Sequence, residues 1–394
     1  MHDTEKLQLF AVAGLPISHS LSPKMMNRAM KVNDFQGYYM YLAADSVDEI
    51  LATMNFLDMS GCNITAPFKT SMLEKIDNYD ARVQQIGSVN LIIRKSDEWV
   101  GFNTDVNGVY QSLNEHKVDF RACSVLIIGY GGAARAAAYA CKMMEMAKSV
   151  TGKDLEKVAK FAEKTGCISV DIENIQEAVD HADVIISTIP KNLLLSNQVT
   201  FGEQQIVLDC SYSNAGLESK VVSRNAFYIS GKKWLLYQGC PAYKMLTSHD
   251  APIEEMARVL QEEAPPPNVF SIIAASESLL QTTKAHLTGF ENAVFTDLTE
   301  DACSCRRLRK RIRKLPKQSY MIVLATTAQL EKTDYYNFIK DETFCFFLVS
   351  GKEKEKEKTL KNIRAVDVLV PAEAKTGAQL GGRIKKEIEN ICPL

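Results

Sequence analysis

Apolar and polar positions alternate on two periods along the first hundred residues. Runs of β-branched and aromatic residues at Leu9 to Val12 and Tyr38 to Leu42 predict strands, and the stretches Pro23 to Lys31 and Val47 to Met59 predict helices. This alternation, through residue 106, marks a first α/β unit. A second unit, 107–242, contains Ser124-Val125-Leu126-Ile127-Ile128, an apolar strand that runs directly into Gly129-Tyr130-Gly131-Gly132-Ala133-Ala134-Arg135 and an alanine-rich helix. Further apolar strands are predicted at Val184 to Ser187 and Gln205 to Leu208. The run Gln261-Glu262-Glu263-Ala264-Pro265-Pro266-Pro267 excludes helix and favours an extended spacer over 262–267. Beyond it, 268–394 shows an α/β alternation of its own, with strands expected at Val269 to Ile272, Phe295 to Leu298 and Met321 to Thr326.

Composition narrows the class without naming a chemistry. At 394 residues, 46% apolar and 24% charged, the chain is a globular protein too long for one ordinary core. A net charge of -2 gives no global field to draw in nucleic acid or an acidic membrane. No run of apolar residues is long enough to span a bilayer, and a cytoplasmic protein is expected. The ten cysteines are dispersed without a C-x-x-C pair, so free thiols are expected and no metal site is assigned. Arg306 to Lys314 is a dense basic run in which Leu308 and Ile312 are four apart, which predicts a helix with one buried edge. The alternating Lys/Glu run Lys352 to Lys358 predicts a solvated helix.

Two stretches carry candidate chemistry. In Gly61-Cys62-Asn63-Ile64-Thr65-Ala66-Pro67-Phe68-Lys69, an amide, a hydroxyl and an amine follow one another along a turn after a strand. Amide and hydroxyl both donate and accept hydrogen bonds and so suit a polyol, and a partly desolvated lysine can give or take a proton. The glycine loop at Gly129, Gly131 and Gly132, with Ala133 and Ala134, stands where a strand becomes a helix. There free N–H groups and the helix dipole favour a pyrophosphate. The next strand should end near Gly152-Lys153-Asp154, where a cation suits the extra phosphate of NADP and a carboxylate suits the ribose of NAD. Both charges are present, and the cofactor stays open at this point.

Four more polar stretches fall at strand ends or turns: Pro16-Ile17-Ser18-His19-Ser20-Leu21-Ser22-Pro23, Gly87-Ser88-Val89-Asn90, Gly101-Phe102-Asn103-Thr104-Asp105 and Trp234-Leu235-Leu236-Tyr237-Gln238-Gly239. With the lysine turn and the glycine loop, in this order, they resemble shikimate dehydrogenase across about residues 8 to 260. The resemblance implies an α/β substrate-binding domain over 1–106, completed by a helix around 243–261, and a Rossmann dinucleotide-binding domain over 107–242. The active site would lie in the cleft between them. It implies that Ser20 and Ser22, assisted by Tyr212, hold the substrate carboxylate, which leans toward shikimate over quinate. Asn63, Thr65, Asn90, Asn103 and Gln238 would bond the ring hydroxyls and carbonyl, and Lys69 with Asp105 would form the catalytic pair. Gly129, Gly131, Gly132, Ala133, Ala134, Lys153, Asp154, Thr188 and Gly231 would contact NADP, with NAD possible. The activity implied is NADPH-dependent reduction of 3-dehydroshikimate to shikimate by a monomer or homodimer. A regulatory protein that keeps the pocket is the competing reading.

Simpler uses exist for some of these groups: Ser20 and Ser22 could cap a helix starting near Pro23, and Asp105 could cap the helix through Val109. The chain also departs from the family pattern at Gly152-Lys153-Asp154 and at Ser187-Thr188-Ile189-Pro190-Lys191-Asn192, both on the cofactor side. The region from Asn268 resembles shikimate kinase in strand order and spacing. Its phosphate-loop positions, however, fall on Ile273, Ser276, Ser278, Leu279 and Leu280, and Thr327-Ala328-Gln329 stands where a glycine triplet belongs. A small α/β domain without phosphoryl transfer, used for packing, oligomerisation or regulation, is expected there.

Overall fold

The computed structural model describes residues 7–116, 119–189, 195, 197–212, 215–262, 267–274, 276–287, 293–298, 304–315, 319–330, 333–349, 352–372 and 375–391. Most of the spacer at 262–267 and the stretch Pro190 to Asn192 lie outside these residues. The chain forms two compact units, residues 1–68 with 261–394 and residues 69–260. These limits cut the chain differently from the boundaries read off the sequence. One falls between Phe68 and Lys69, inside the candidate turn.

The first unit begins with β1 (Gln8–Gly14), β2 (Gly37–Ala43) and β3 (Gly61–Ile64), and the second contributes β4 (Asn78–Tyr79) to β12 in chain order. After the spacer the first unit resumes with β13 (Val269–Ala274), β14 (Ala293–Asp297), β15 (Tyr320–Thr326), β16 (Phe344–Val349) and β17 (Val368–Pro371). Its strands lie in the order β14-β15-β13-β16-β17-β2-β1-β3. All the pairings are parallel, and the helices Ser22–Val32 and Val47–Phe56 follow β1 and β2 as the crossovers that parallel strands require. The C-terminal region is thus α/β as expected, but its sheet continues that of the N-terminal strands. The join is β17 on β2, with Val368 opposite Tyr41 and Leu369 opposite Leu42. Without β17, β2 would present a bare row of N–H and C=O groups, and edge strands are commonly covered.

At the end of β13, where a phosphate loop would keep its N–H groups free, the Ser276 hydroxyl accepts the Leu279 N–H at 3.3 Å and caps its own helix. The basic run forms the helix Cys305–Ile312, buried at Cys305 and Leu308, and the Lys/Glu run lies in the helix Glu353–Asn362.

The second unit holds the remaining strands, with β5 (Leu91–Lys95) and β6 (Glu98–Phe102) as an antiparallel hairpin and β4 parallel to β6. Its main sheet comprises β7 (Ser124–Ile128), β8 (Ala147–Thr151), β9 (Ile168–Ser169), β10 (Val184–Ser187), β11 (Ile206–Asp209) and β12 (Phe227–Ile229), in the order β12-β11-β10-β7-β8-β9. Alternate residues feed two cores: Val125, Ile127, Val184 and Ile186 pack on one face, and Leu126, Ile128, Ile185 and Val207 on the other. Burial on both faces is why these strands read as unbroken apolar runs. The single helix expected around 243–261 is two helices, Gly231–Thr247 and Ile253–Gln261. Ser248 takes the left-handed conformation at φ 62°, and Pro252 fits the start of a helix but not its middle.

Candidate active site

Lys69 follows the turn after β3, and Asp105 opens the helix Asp105–Asn114. The Lys69 Nζ lies 2.5 Å from Asp105 Oδ2, with the side chains only 15% and 7% exposed. Thr104, not Asp105, is the N-cap of that helix and makes no side-chain cap bond. The Asp105 carboxylate therefore sits in the first turn, where the helix dipole favours a negative charge, and is spent on the lysine rather than on capping. The Lys69 carbonyl accepts the Val89 N–H at 2.8 Å, which ties the lysine turn to the Gly87 to Asn90 segment.

Around this pair the same unit gathers a buried polar cluster. Asn90 Oδ1 accepts the Thr104 N–H at 2.7 Å, and its Nδ2 donates to Thr104 Oγ1 at 3.0 Å and to Gln238 Oε1 at 3.3 Å. Asn103 Nδ2 donates to the Ser88 carbonyl at 2.8 Å, but among the described residues the buried Asn103 Oδ1 and Ser88 Oγ have no hydrogen-bond partner. An orphaned buried polar atom costs roughly 1–3 kcal/mol, so these atoms mark a place where an outside polar molecule would recover that free energy. Gln238 reaches the cluster from the helix Gly231–Thr247, which crosses the helix Asp105–Asn114 at Gly108. A Cβ at Gly108 would come within 2.3 Å of Trp234 Cδ1. Cys210, just past β11, lies within the fields of Asp209, Lys69 and Asp105, and its burial pushes the thiol pKa far up and keeps it neutral.

The glycine loop belongs to this unit as well. Gly129 has φ 112°, and a Cβ there would strike Thr188 Oγ1 at 2.3 Å. The Thr188 hydroxyl itself donates to the Ile128 carbonyl at 2.8 Å. Gly131 caps the helix Gly132–Met143 with no side-chain hydrogen bond and has open space where a Cβ would be. Ala133 is half-buried and Ala134 buried. A Cβ on Gly132 would come within 2.6 Å of Lys69 Cβ, so the loop and the lysine turn are packed together. The free helix N-terminus and its open approach fit an anionic pyrophosphate. At the end of β8, Asp154 accepts the Lys157 N–H at 3.1 Å as an N-cap and pairs with Lys157 Nζ at 3.0 Å, while Lys153 is exposed. Gly231 is required by packing, since a Cβ would lie 2.2 Å from the Cys210 carbonyl oxygen. Tyr212 is half-buried just past Ser211.

Ser20, Ser22, Asn63 and Thr65 belong to the other unit. The Ser20 hydroxyl donates to Ser22 Oγ at 3.2 Å and accepts the Ser22 N–H at 3.3 Å. Neither caps the helix that starts at Ser22, whose N-cap is Leu21. Asn63 Oδ1 accepts the Tyr39 hydroxyl at 2.7 Å. Thr65 donates its N–H to Ala13 at 2.9 Å, and its methyl fills the space beside Gly14.

Several groups in these clusters carry no signal of their own in the sequence. Thr104 and Ser88 stand inside polar motifs and were open to notice there. Tyr39 and Tyr41, whose hydroxyls hold Asn63 and the Ser20 carbonyl, read simply as strand aromatics. Arg135, half-buried in the first turn after the glycine loop, has an Nε without a hydrogen-bond partner among the described residues and a pKa lowered by burial.

Known proteins resemble this chain in sequence and fold. Residues 12–92 match the family model of the shikimate dehydrogenase substrate binding domain. The shikimate dehydrogenase (NADP(+)) of Anaeromyxobacter sp. (strain K) is 30% identical over 271 residues, which cover 66% of this chain and 97% of that protein. The enzyme of the same name from Dehalococcoides mccartyi strain 195 is 28% identical, with 64% and 94% covered. The crystal structure of shikimate dehydrogenase from Aquifex aeolicus superposes with a TM-score of 0.61 at 25% identity, covering 66% of this chain and 99% of that one. The chain belongs to the shikimate dehydrogenase family.

Proposed function

We propose that the protein is an NADP-dependent oxidoreductase that interconverts 3-dehydroshikimate and shikimate. The observation that carries this is the partly buried Lys69–Asp105 pair at 2.5 Å, set beside the orphaned Asn103 Oδ1 in a cluster of amides and hydroxyls. NADPH bound at the glycine loop supplies the hydride. Reduction of a ring ketone places negative charge on its oxygen, and that oxygen needs a proton at once. Lys69 Nζ–H is the proton donor, and Asp105 orients the ammonium and offsets its charge. In the oxidative direction the same nitrogen takes the proton from the ring hydroxyl. Asn90, Asn103 and Gln238 bond the remaining ring oxygens together with Asn63 and Thr65. The hydroxyls of Ser20 and Ser22 bond the carboxylate, with Tyr212 assisting. NADP is favoured over NAD because the Asp154 carboxylate is engaged as a helix cap, while Lys153 is exposed to meet a phosphate. The relatives named above carry NADP in their own names.

The test follows nicotinamide reduction at alkaline pH with shikimate or quinate against NADP or NAD. Shikimate with NADP should turn over fastest. Absence of turnover in all four combinations would defeat the enzyme reading and leave a metabolite-binding role in its place.

A further inference from the structure

The last helix of the chain, Gly377–Ile391, reaches into the loop that carries Ser20 and Ser22. Glu387, fully buried, accepts the Ile17 N–H at 3.0 Å, the Ser18 N–H at 2.8 Å and the Ser18 hydroxyl at 2.6 Å. One helical turn earlier, Arg383 donates to the carbonyls of Ala43 at 3.2 Å and Pro371 at 3.1 Å and pairs with Asp45. Lys375 pairs with Glu49 at 2.6 Å. Across the β2–β17 join, the Tyr41 N–H donates to the Asp367 carbonyl at 2.9 Å, and the Tyr41 hydroxyl holds the Ser20 carbonyl at 2.8 Å.

We propose that Glu387 is a positioning residue for the Ser20/Ser22 loop, so that the C-terminal region sets this loop's grip on the substrate carboxylate. The inference rests on the carboxylate-binding role given to the two serines above. Among the described residues no lysine, arginine or histidine pairs with the Glu387 carboxylate. Its charge is held by three donors from two consecutive loop residues, and charge-assisted bonds of this kind are the strong ones. The loop is thereby fixed at its entrance by Glu387 and farther along by Tyr41. The Ser20 N–H to Ile17 carbonyl bond at 2.9 Å transmits the first restraint to the serine pair. A loop free to sample other conformations would pay an ordering cost each time it bound substrate.

The test uses the full-length protein. Glu387→Ala strips the partner from two buried N–H groups. Glu387→Gln keeps one oxygen that can accept from both Ser18 and Ile17 but puts an NH2 where the other oxygen accepts the Ile17 N–H at 3.1 Å, and it serves if the alanine variant does not fold. Amide hydrogen exchange should accelerate at residues 17 and 18 in both variants. KM for shikimate should rise about tenfold in Glu387→Ala and less in Glu387→Gln, with kcat within about twofold and KM for NADP unchanged, as for a loss of uniform substrate binding. Unchanged exchange at 17 and 18, unchanged KM for shikimate in a normally folded variant, or an equal rise in KM for NADP would each overturn the proposal. A wild-type protein without turnover would instead overturn the functional reading, while the exchange measurement still decides whether Glu387 holds the loop.

Discussion

In the proposed reaction Lys69 and Asp105 divide one task between them. The lysine would transfer the proton, whereas the aspartate, in the first turn of its helix and only 7% exposed, would hold the ammonium where that proton is needed. The proposal spreads substrate contacts over other groups, so the loss of Lys69 should damage chemistry more than binding. Lys69→Ala should lower kcat about a hundredfold or more, with KM for shikimate changed only a few-fold, as expected for loss of a general acid. Steady-state kinetics with shikimate and NADP measure this split. A variant with raised KM and unaltered kcat would show that Lys69 binds rather than reacts. Asn103 offers the complementary case. Its orphaned Oδ1 has nothing in the described chain to accept from, so bound substrate stands to recover a bond that folding leaves unmade.

At the level of elements, the polar cluster depends on how closely two helices approach. Gly108 in one lets Trp234 of the other lie against the backbone, and Gln238 follows Trp234 by one turn on the same face. Alanine would raise helix propensity by about 0.8–1.0 kcal/mol. Yet its Cβ would sit 2.3 Å from an indole carbon and 2.8 Å from a backbone oxygen, and overpacking of this kind costs typically about 1–3 kcal/mol. The clash wins: Gly108→Ala should lower the melting temperature and, by shifting Gln238, raise KM for shikimate. A melting temperature equal to or above that of the wild type would refute this account of the crossing. Such a contact is invisible in the sequence, where Gly108 and Trp234 are far apart. What was legible there is what local periodicity carries. Ser124–Ile128 and Val184–Ser187 announced themselves as strands because both faces are buried. Asn90, Asn103 and Gln238 were legible only as parts of motifs. The helix around 243–261 was expected from the resemblance as one element, whereas the polar run Thr247 to Asp250, with Ser248 left-handed and Pro252 beyond it, divides it in two. Glu387 could not be found at all, since its partners lie 369 and 370 residues away.

At the scale of the whole chain, the join between the N-terminal strands and the C-terminal region contains a buried acid. Asp367 stands immediately before β17. Its carboxylate accepts the Cys345 N–H at 2.7 Å, and its carbonyl accepts the Tyr41 N–H. Burial, opposed only in part by the Cys345 N–H, raises its pKa from the usual carboxylate range to about 7. The groups facing it are the Cys345 thiol and the Tyr38 phenol, both held neutral by burial, and the Tyr38 hydroxyl donates to the Val366 carbonyl at 2.9 Å. In the unfolded chain Asp367 loses its proton near pH 4, whereas in the folded chain it keeps the proton until about pH 7. Between those values the folded state binds more protons than the unfolded one, so this group's contribution falls as pH rises and is lost above about 7. Other carboxylates that gain partners on folding act in the opposite direction, so the wild-type curve alone would not isolate the effect. Asp367→Asn does isolate it: the amide oxygen can still accept from Cys345, but the group no longer titrates. The variant's melting temperature should gain on that of the wild type by on the order of 5 °C between pH 4.5 and pH 8. Parallel melting curves across that range would mean that Asp367 ionises normally and that the join tolerates its charge.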